Sequence, residues 1–101
     1  MAVDIAQYLS GDQQKVTRVG FLLLDNFTMI ALASAMEPLR MANQLSGKEL
    51  YCWHLISEEG DAVSASDGIS FNADFGMLDA PSLDILIVVG GVNITRSFKP
   101  K

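Results

Sequence analysis

A run of aliphatic residues that ends in two glycines constrains this chain more than any other feature. Positions 83–91 read LDILIVVGG, and residues 85–89 are consecutive large aliphatic side chains. Because successive side chains of a strand point to opposite faces, a run without polar positions predicts a strand buried on both faces of a parallel sheet. Gly90 and Gly91 then allow a tight turn and a close backbone approach at the carboxyl end of the strand, where open α/β sheets bind ligands.

The burial that this strand requires exceeds what the rest of the chain offers. Full burial of one large aliphatic side chain is worth roughly 1.5–3 kcal/mol, so the five together represent roughly 7–15 kcal/mol, about the net stability of a domain. Only one convincing helix pattern is present to cover two sheet faces. We therefore expect further chain, a second copy or a swapped element to cover the second face, and the fragment alone to self-associate.

Composition narrows the class of protein. The 101 residues are 50% hydrophobic and carry a net charge of −5, which fits one globular domain and argues against nucleic-acid binding by this chain itself. No apolar run approaches the roughly 18 residues that span a bilayer, and the start lacks the pattern of a signal peptide. The single cysteine, Cys52, fits a reducing compartment. We expect a cytoplasmic domain without a membrane segment.

The remaining patterns predict an α/β order of elements. A leader arm over residues 1–15 precedes a buried strand at 16–24, and Asp25 or Asn26 could cap the helix that follows. Helical spacing runs from Met29 to about residue 45, where Gly47 ends it, and Pro38 should kink this helix or start a second one. A strand at 50–57, a hairpin at 62–71 and a connector at 75–81 lead to the strand at 83–89. The order predicts a three-layer α/β sandwich with a mostly parallel sheet.

Two segments carry a resemblance to a known family. FLLLDNFTMIALASAMEPLRMAN at positions 21–43 and DILIVVGG at 84–91 resemble AraC-type transcriptional regulators with an amidotransferase-like sensor domain of the ThiJ/PfpI superfamily. EPLRMAN at 37–43 is similar to the branch that controls catabolism of amines and amino acids such as glycine betaine, carnitine or arginine. The match covers most of this chain and only the first part of such a sensor domain.

The resemblance implies a flavodoxin-like fold over residues 16–101, incomplete in this chain. It also implies a helix-turn-helix domain that lies outside this sequence, so DNA would be contacted only through that missing domain. The implied function is sensing of a small amine or amino acid by a homo-oligomeric regulator. A cysteine hydrolase or glyoxalase-like enzyme of the ThiJ/PfpI type is the alternative, and a dimerisation module without a ligand is the second.

One position argues against enzyme chemistry. Enzymatic relatives place an acidic residue early on the first helix, where it tunes the catalytic cysteine. The matching position here falls on Ala31, and no Asp or Glu lies between Thr28 and Met36. The nucleophile region of the family would lie after Lys101. We therefore expect a protein that is not an enzyme.

Candidate ligand-binding residues follow two strands that should be neighbours. The glycines could bind a ligand carboxylate through backbone N–H groups, and a carboxylate beside an aromatic ring suits a quaternary ammonium ion. Helix capping is the competing interpretation for the residues after the first strand. The only histidine, His54, has no partners at metal-ligand spacing, so we expect neither a metal nor a cofactor. The candidate set is Asp25, Asn26, Phe27, Gly90, Gly91 and Asn93.

Overall fold

The computed structural model describes residues 15–91 as one helix and six strands. Of the arm predicted at residues 1–15, only the last residue lies in that range. In chain order the elements are β1 (Thr17–Leu23), α1 (Met29–Ser46), β2 (Tyr51–Ser57), β3 (Val63–Ser64), β4 (Ser70–Phe71), β5 (Phe75–Gly76) and β6 (Ile85–Val89). Within these residues no helix is both long and apolar enough to cross a membrane.

Four of the strands form one parallel sheet in the order β5-β2-β1-β6. This confirms the predicted α/β class with a mostly parallel sheet. β3 and β4 form the predicted antiparallel hairpin. Its turn uses Gly68 at a φ of 88°, and the Asp67 carboxylate accepts a hydrogen bond of 3.1 Å from the Ile69 N–H.

The core lies on both faces of the central strand β1. On one face Val19, Phe21 and Leu23 are at most 2% exposed and pack against α1. On the other face Leu22 and Leu24 pack with a smaller apolar group that comes from β2 and from the loop before β6. The helix thus covers one face, and within residues 15–91 only a loop covers part of the other.

Strand β6 is less buried than its sequence predicts. Ile85, Leu86 and Val88 are 45–49% exposed, while Val89 is 3% exposed. The reason is position: β6 is the edge strand of the described sheet, paired with β1 on one side only. Within residues 15–91 the strand is thus not buried on both faces, and its uncovered aliphatic surface is what the sequence predicts if further chain or a second copy covers the second face.

The connector at residues 75–81 also differs from its prediction, because Phe75–Gly76 pairs with β2 as a fourth parallel strand. Two residues are too few to show a periodicity in the sequence. The strand starts after Asp74, whose carboxylate accepts from the Leu55 N–H at 2.8 Å and whose own N–H donates to the Leu55 carbonyl. Asp84 makes the same pair of bonds to Arg18 just before β6. An aspartate thus docks each outer strand on its inner neighbour.

Helix α1 is continuous through Pro38. Proline removes the hydrogen bond that would reach the carbonyl of Ser34, but both residues are exposed, so water can satisfy that carbonyl. The helix ends as predicted at Gly47, which is left-handed with a φ of 70° and donates its N–H to the Asn43 carbonyl.

Candidate functional site

The loop after β1 is a tight turn in which Thr28, not Asp25 or Asn26, caps the helix. Thr28 is extended, with a φ of −92° and a ψ of 137°, and its hydroxyl oxygen accepts from the Ala31 N–H at 3.3 Å. Asn26 cannot serve as this cap because it lies in the turn itself, at a φ of 65°. The expected cap was therefore placed too early in the chain.

This loop is joined by backbone hydrogen bonds to two neighbouring segments. The Asn26 N–H donates to the Ser64 carbonyl at 3.0 Å, and the Phe27 carbonyl accepts from the Ser66 N–H at 2.8 Å. Both bonds reach the β3-β4 hairpin. The Thr28 N–H donates to the Gly90 carbonyl at 3.2 Å. The loop therefore links the hairpin, the start of α1 and the end of β6.

Gly91 lies against the same loop, in an isolated bridge with Phe27. A Cβ added at Gly91 would overlap the Asn26 carbonyl oxygen and would lie 2.8 Å from the Phe27 Cα. Only glycine permits this approach of two backbones. The proximity that the sequence predicted between residues 25–28 and the glycine pair is thus present.

Phe27 occupies the core instead of a ligand surface. Its side chain is 0% exposed, and its ring meets the Phe71 ring edge to face with centroids 5.2 Å apart. No face of this ring is open to a ligand in the described structure. The residue instead anchors the loop, and Asp25 is the exposed side chain beside it.

A cleft of about 310 Å³ opens at the carboxyl ends of β1 and β2. Its lining combines apolar groups with four carboxylates, one of them the predicted Asp25. Ser57 is a buried member of the lining, 4% exposed, and its hydroxyl donates to the Asp61 carbonyl at 2.8 Å. The lining residues are Leu23, Asp25, Ser57, Glu58, Glu59, Asp61, Ala62 and Val63.

Three of these acidic residues, Glu58, Glu59 and Asp61, were not predicted as site residues, because in sequence they form a short polar segment after β2. A signal was available: parallel neighbouring strands end at the same edge of a sheet, so acidic residues after each must meet. The pairing of β1 with β2 was not evident from either strand alone. Four acidic groups make this cleft a favourable place for a cation.

The predicted site residues therefore divide between two sides of β1. Asp25 faces the β2 side and the acidic cleft, whereas Gly90 and Gly91 lie on the β6 side. Asn26 and Phe27 connect the two through their backbone. Asn93 lies outside the described residues.

Three other residues that the sequence singled out, Ala31, Cys52 and His54, lie within α1 and β2. Ala31 lies in the first turn of α1, which holds no acidic residue. Cys52 is a half-buried free thiol on β2, and the ring of His54 packs edge to face on Phe75 with centroids 5.2 Å apart. Among residues 15–91 no three His, Cys, Asp or Glu side chains are grouped so that they could hold a metal ion.

One charged pair on α1 has perturbed pKa values. Arg40 donates to the Glu37 carboxylate through Nε at 3.0 Å and lies within 2.8 Å of it through a second nitrogen. This hydrogen bond lowers the pKa of Glu37 and raises that of Arg40. Both side chains are about half exposed, so the pair is a surface feature of the helix.

The chain is similar in sequence to HTH-type transcriptional regulators. It is 63% identical over 79 residues to GbdR from Pseudomonas aeruginosa, an alignment that covers 78% of this chain and 22% of that protein. It is 41% identical over 80 residues to CdhR from the same species, covering 79% and 24%. It is 46% identical over 61 residues to GlxA from Rhizobium meliloti, covering 60% and 19%. The chain thus spans about a fifth to a quarter of the length of these curated relatives.

Solved structures agree with this similarity, although no protein-family model matches the sequence. An AraC family transcriptional regulator from Pseudomonas putida superposes with a TM-score of 0.67 at 32% identity, over 76% of this chain and 48% of that one. A DJ-1 superfamily protein from Agrobacterium tumefaciens superposes with a TM-score of 0.57 over 84% of this chain and 43% of that one. At 17% identity the second likeness shows the fold alone, which is the predicted flavodoxin-like one. Over most of its length the chain thus matches one part of HTH-type transcriptional regulators of the AraC type, and its fold is that of the DJ-1 superfamily structure.

Proposed function

We propose that this chain is part of a ligand-sensing domain that binds a small cationic amine or amino acid in the acidic cleft. The observation that carries the proposal is that four acidic residues line one cleft at the carboxyl edge of a parallel sheet. Open α/β sheets bind ligands at this edge. A cationic group has its most favourable electrostatic interaction energy where carboxylates surround it. The resemblance to regulators of amine catabolism supports the same ligand class.

The surroundings of Asp25 suggest how binding would reach the rest of the regulator. The next residue, Asn26, is hydrogen-bonded to the hairpin, and Thr28 to the end of β6. A ligand held by Asp25 would therefore favour one conformation of the loop after β1. That preference would in turn favour one relative position of the hairpin, α1 and the end of β6. Such a bias shifts the population of DNA-binding states only if the ligand binds one state more tightly. DNA itself would be contacted by a helix-turn-helix domain outside this sequence.

The proposed sensor is not an enzyme. Ala31 holds the position at which enzymatic relatives carry an acid, and a methyl group can neither accept a proton nor orient a thiol. The relatives named above are regulators, which supports the same reading. Gly90 and Gly91 lie on the β6 side of β1 and do not line the cleft, so in this proposal the acidic residues of the cleft hold the ligand.

Ligand screening of the full-length regulator tests the proposal. We expect betaine, carnitine or a basic amino acid to raise the melting temperature, because a ligand that binds only the folded state stabilises it. Asp25→Asn and Asp61→Asn should each weaken binding by roughly five- to tenfold, the size of about 1 kcal/mol per lost charge contact. Glu49→Gln makes the same charge change next to the start of β2, at the opposite edge of the sheet, and should leave affinity unchanged.

Three results would contradict the proposal. Absence of stabilisation by every small cation and amino acid would favour the dimerisation module without a ligand. Equal loss of affinity in Glu49→Gln and Asp25→Asn would mean that overall charge, and not the cleft, attracts the ligand. Turnover of a substrate by the full-length protein would restore the enzyme alternative.

A further inference from the structure

The cleft at the carboxyl ends of β1 and β2 is bordered by a ring of backbone that two hydrogen bonds close. On one side the Asn26 N–H donates to the Ser64 carbonyl at 3.0 Å. On the other side the Ser57 hydroxyl donates to the Asp61 carbonyl at 2.8 Å. The parallel pairing of β1 with β2 and the chain from residue 61 to residue 64 complete the ring. The first bond joins two backbone groups, whereas the second depends on a side chain that one substitution can remove.

Ser57 is the last residue of β2, and its side chain belongs to both the sheet and the cleft. It lines the cleft and is 4% exposed. A buried hydroxyl needs a hydrogen-bond partner, and the Asp61 carbonyl supplies one. A serine hydroxyl has one proton, which this bond uses, so toward a ligand its oxygen can only accept. Ser57 therefore has the same polarity toward a ligand as the acidic residues of the lining.

The bond from Ser57 acts on the acidic turn, which we define as residues 58–61. Three of the four acidic residues of the cleft lie in this turn. The turn bends at Gly60, whose φ of 87° lies in the left-handed region. Glycine has more backbone freedom than any other residue, so ordering the turn costs conformational entropy. A bond to the Asp61 carbonyl restricts that freedom where the turn continues toward the β3-β4 hairpin.

Strand β5 holds the beginning of the same turn. The Met77 N–H, directly after β5, donates to the Glu58 carbonyl at 3.3 Å. A Cβ added at Gly76 would lie 3.0 Å from the carbonyl carbon of Glu59, so the turn packs directly on the backbone of β5. The acidic turn is thus held at its start by β5 and at its end by Ser57.

We propose that Ser57 is a positioning residue of the cleft, whose hydroxyl holds the acidic turn in the arrangement that binds a cationic ligand. The role rests on the function proposed above and adds that the site is formed before the ligand arrives. The apparent dissociation constant rises in inverse proportion to the fraction of molecules in the binding arrangement. Removal of the hydroxyl lowers this fraction, because the ligand must then order the turn as it binds.

Titration of the full-length regulator with glycine betaine and with arginine tests this role. Loss of one hydrogen bond corresponds to about two- to tenfold in an equilibrium constant, so Ser57→Ala should raise the dissociation constant by about that factor. Ser57→Thr keeps the hydroxyl and should bind like the parent protein. Ser70→Ala makes the same chemical change at an exposed serine of β4 outside the lining, and should leave affinity unchanged.

Limited proteolysis without ligand examines the turn itself. A protease that cleaves after glutamate should cut after Glu58 or Glu59 about two- to tenfold faster in Ser57→Ala, because cleavage follows the population of the opened segment. Asn43→Ala removes a side chain that joins α1 to the start of β2, at the opposite edge of the sheet. It should lower stability without changing affinity and without favouring cleavage in the turn, which separates local release from a general loss of stability.

The outcomes separate this role from the function on which it rests. Parent-like affinity in Ser57→Ala would overturn the proposal, whether or not the turn is cleaved faster, since the turn would then have no part in binding. Equal weakening in Ser57→Ala and Ser57→Thr would also overturn it, because the hydroxyl would not be the group that matters. If no compound of the screen described above binds the parent protein, the proposed function of the cleft fails and the role of Ser57 in binding fails with it.

Discussion

The side-chain amide of Asn43 holds the last turns of α1 against the start of β2. Its Oδ1 accepts from the Leu50 N–H at 2.8 Å and from the Tyr51 N–H at 3.0 Å, while its Nδ2 donates to the Tyr51 carbonyl at 2.9 Å. All three bonds are partly buried. At about 0.5–1.5 kcal/mol each, they contribute about 1.5–4.5 kcal/mol. In Asn43→Ala, the higher helix propensity of alanine offsets at most about 0.7 kcal/mol, so we expect a net loss of about 1–4 kcal/mol.

Urea unfolding of the protein, followed by the fluorescence of Trp53 on β2, would measure this loss. Hydrogen exchange at the amides of Leu50 and Tyr51 should accelerate in the same variant. Asn43→Asp keeps the two accepting contacts but sets a carboxylate oxygen against the Tyr51 carbonyl oxygen, so it should cost at least as much as Asn43→Ala. Gln44→Ala, on the exposed side of the same turn, should change stability by less than about 0.5 kcal/mol. If Asn43→Ala costs no more than Gln44→Ala, the amide does not join helix and strand as argued.

Three further results are expected. Phe27→Ala should cost about 3–5 kcal/mol in urea unfolding because the side chain is fully buried, and a loss below about 1 kcal/mol would mean that the loop is not anchored in the core. Gly91→Ala should cost about 1–3 kcal/mol, since its Cβ meets backbone at Asn26, and a neutral result would contradict that approach. The contribution of the Glu37–Arg40 pair is present above the ordinary carboxyl pKa and is lost as the pH falls through the lowered pKa of Glu37. An NMR titration should therefore show the pKa of Glu37 rising in Arg40→Ala, and an unchanged titration would rule out the pair in solution.

Several elements could be predicted because their signals are local. The unbroken apolar run of β1 indicates a central strand, and the 3.6-residue spacing from Met29 onward indicates α1. Glycine adopts the left-handed conformation that ends a helix more easily than other residues do, and Gly47 follows the last residue of α1. The hairpin turn at Asp67 and Gly68 follows from the same kind of local chemistry.

Other features depended on which segments meet. The cap belongs to Thr28 because Asn26 is held in a turn by the distant hairpin, a contact that no local pattern contains. β5 exists because Asp74 docks on Leu55 of the neighbouring strand, so its two residues needed that neighbour to become a strand. Phe27 looked like a ligand contact in sequence, and the fold buries it against Phe71.

The sequence by itself determined the class of fold, the run of residues 85–91 as a strand with a glycine exit, and the family resemblance. These features depend on the spacing of apolar residues, on the residue types in turns and on the order of residues in short motifs. Each of these signals extends over only a few positions of the sequence. The tertiary structure alone decided that β6 is the edge strand of the described sheet, that Asp25 joins Glu58, Glu59 and Asp61 around one cleft, and that Ile30 and Leu45 of α1 are exposed. The physical reason is that exposure and the meeting of like charges depend on distances between segments far apart in the chain, and those distances are set by the packing of the sheet.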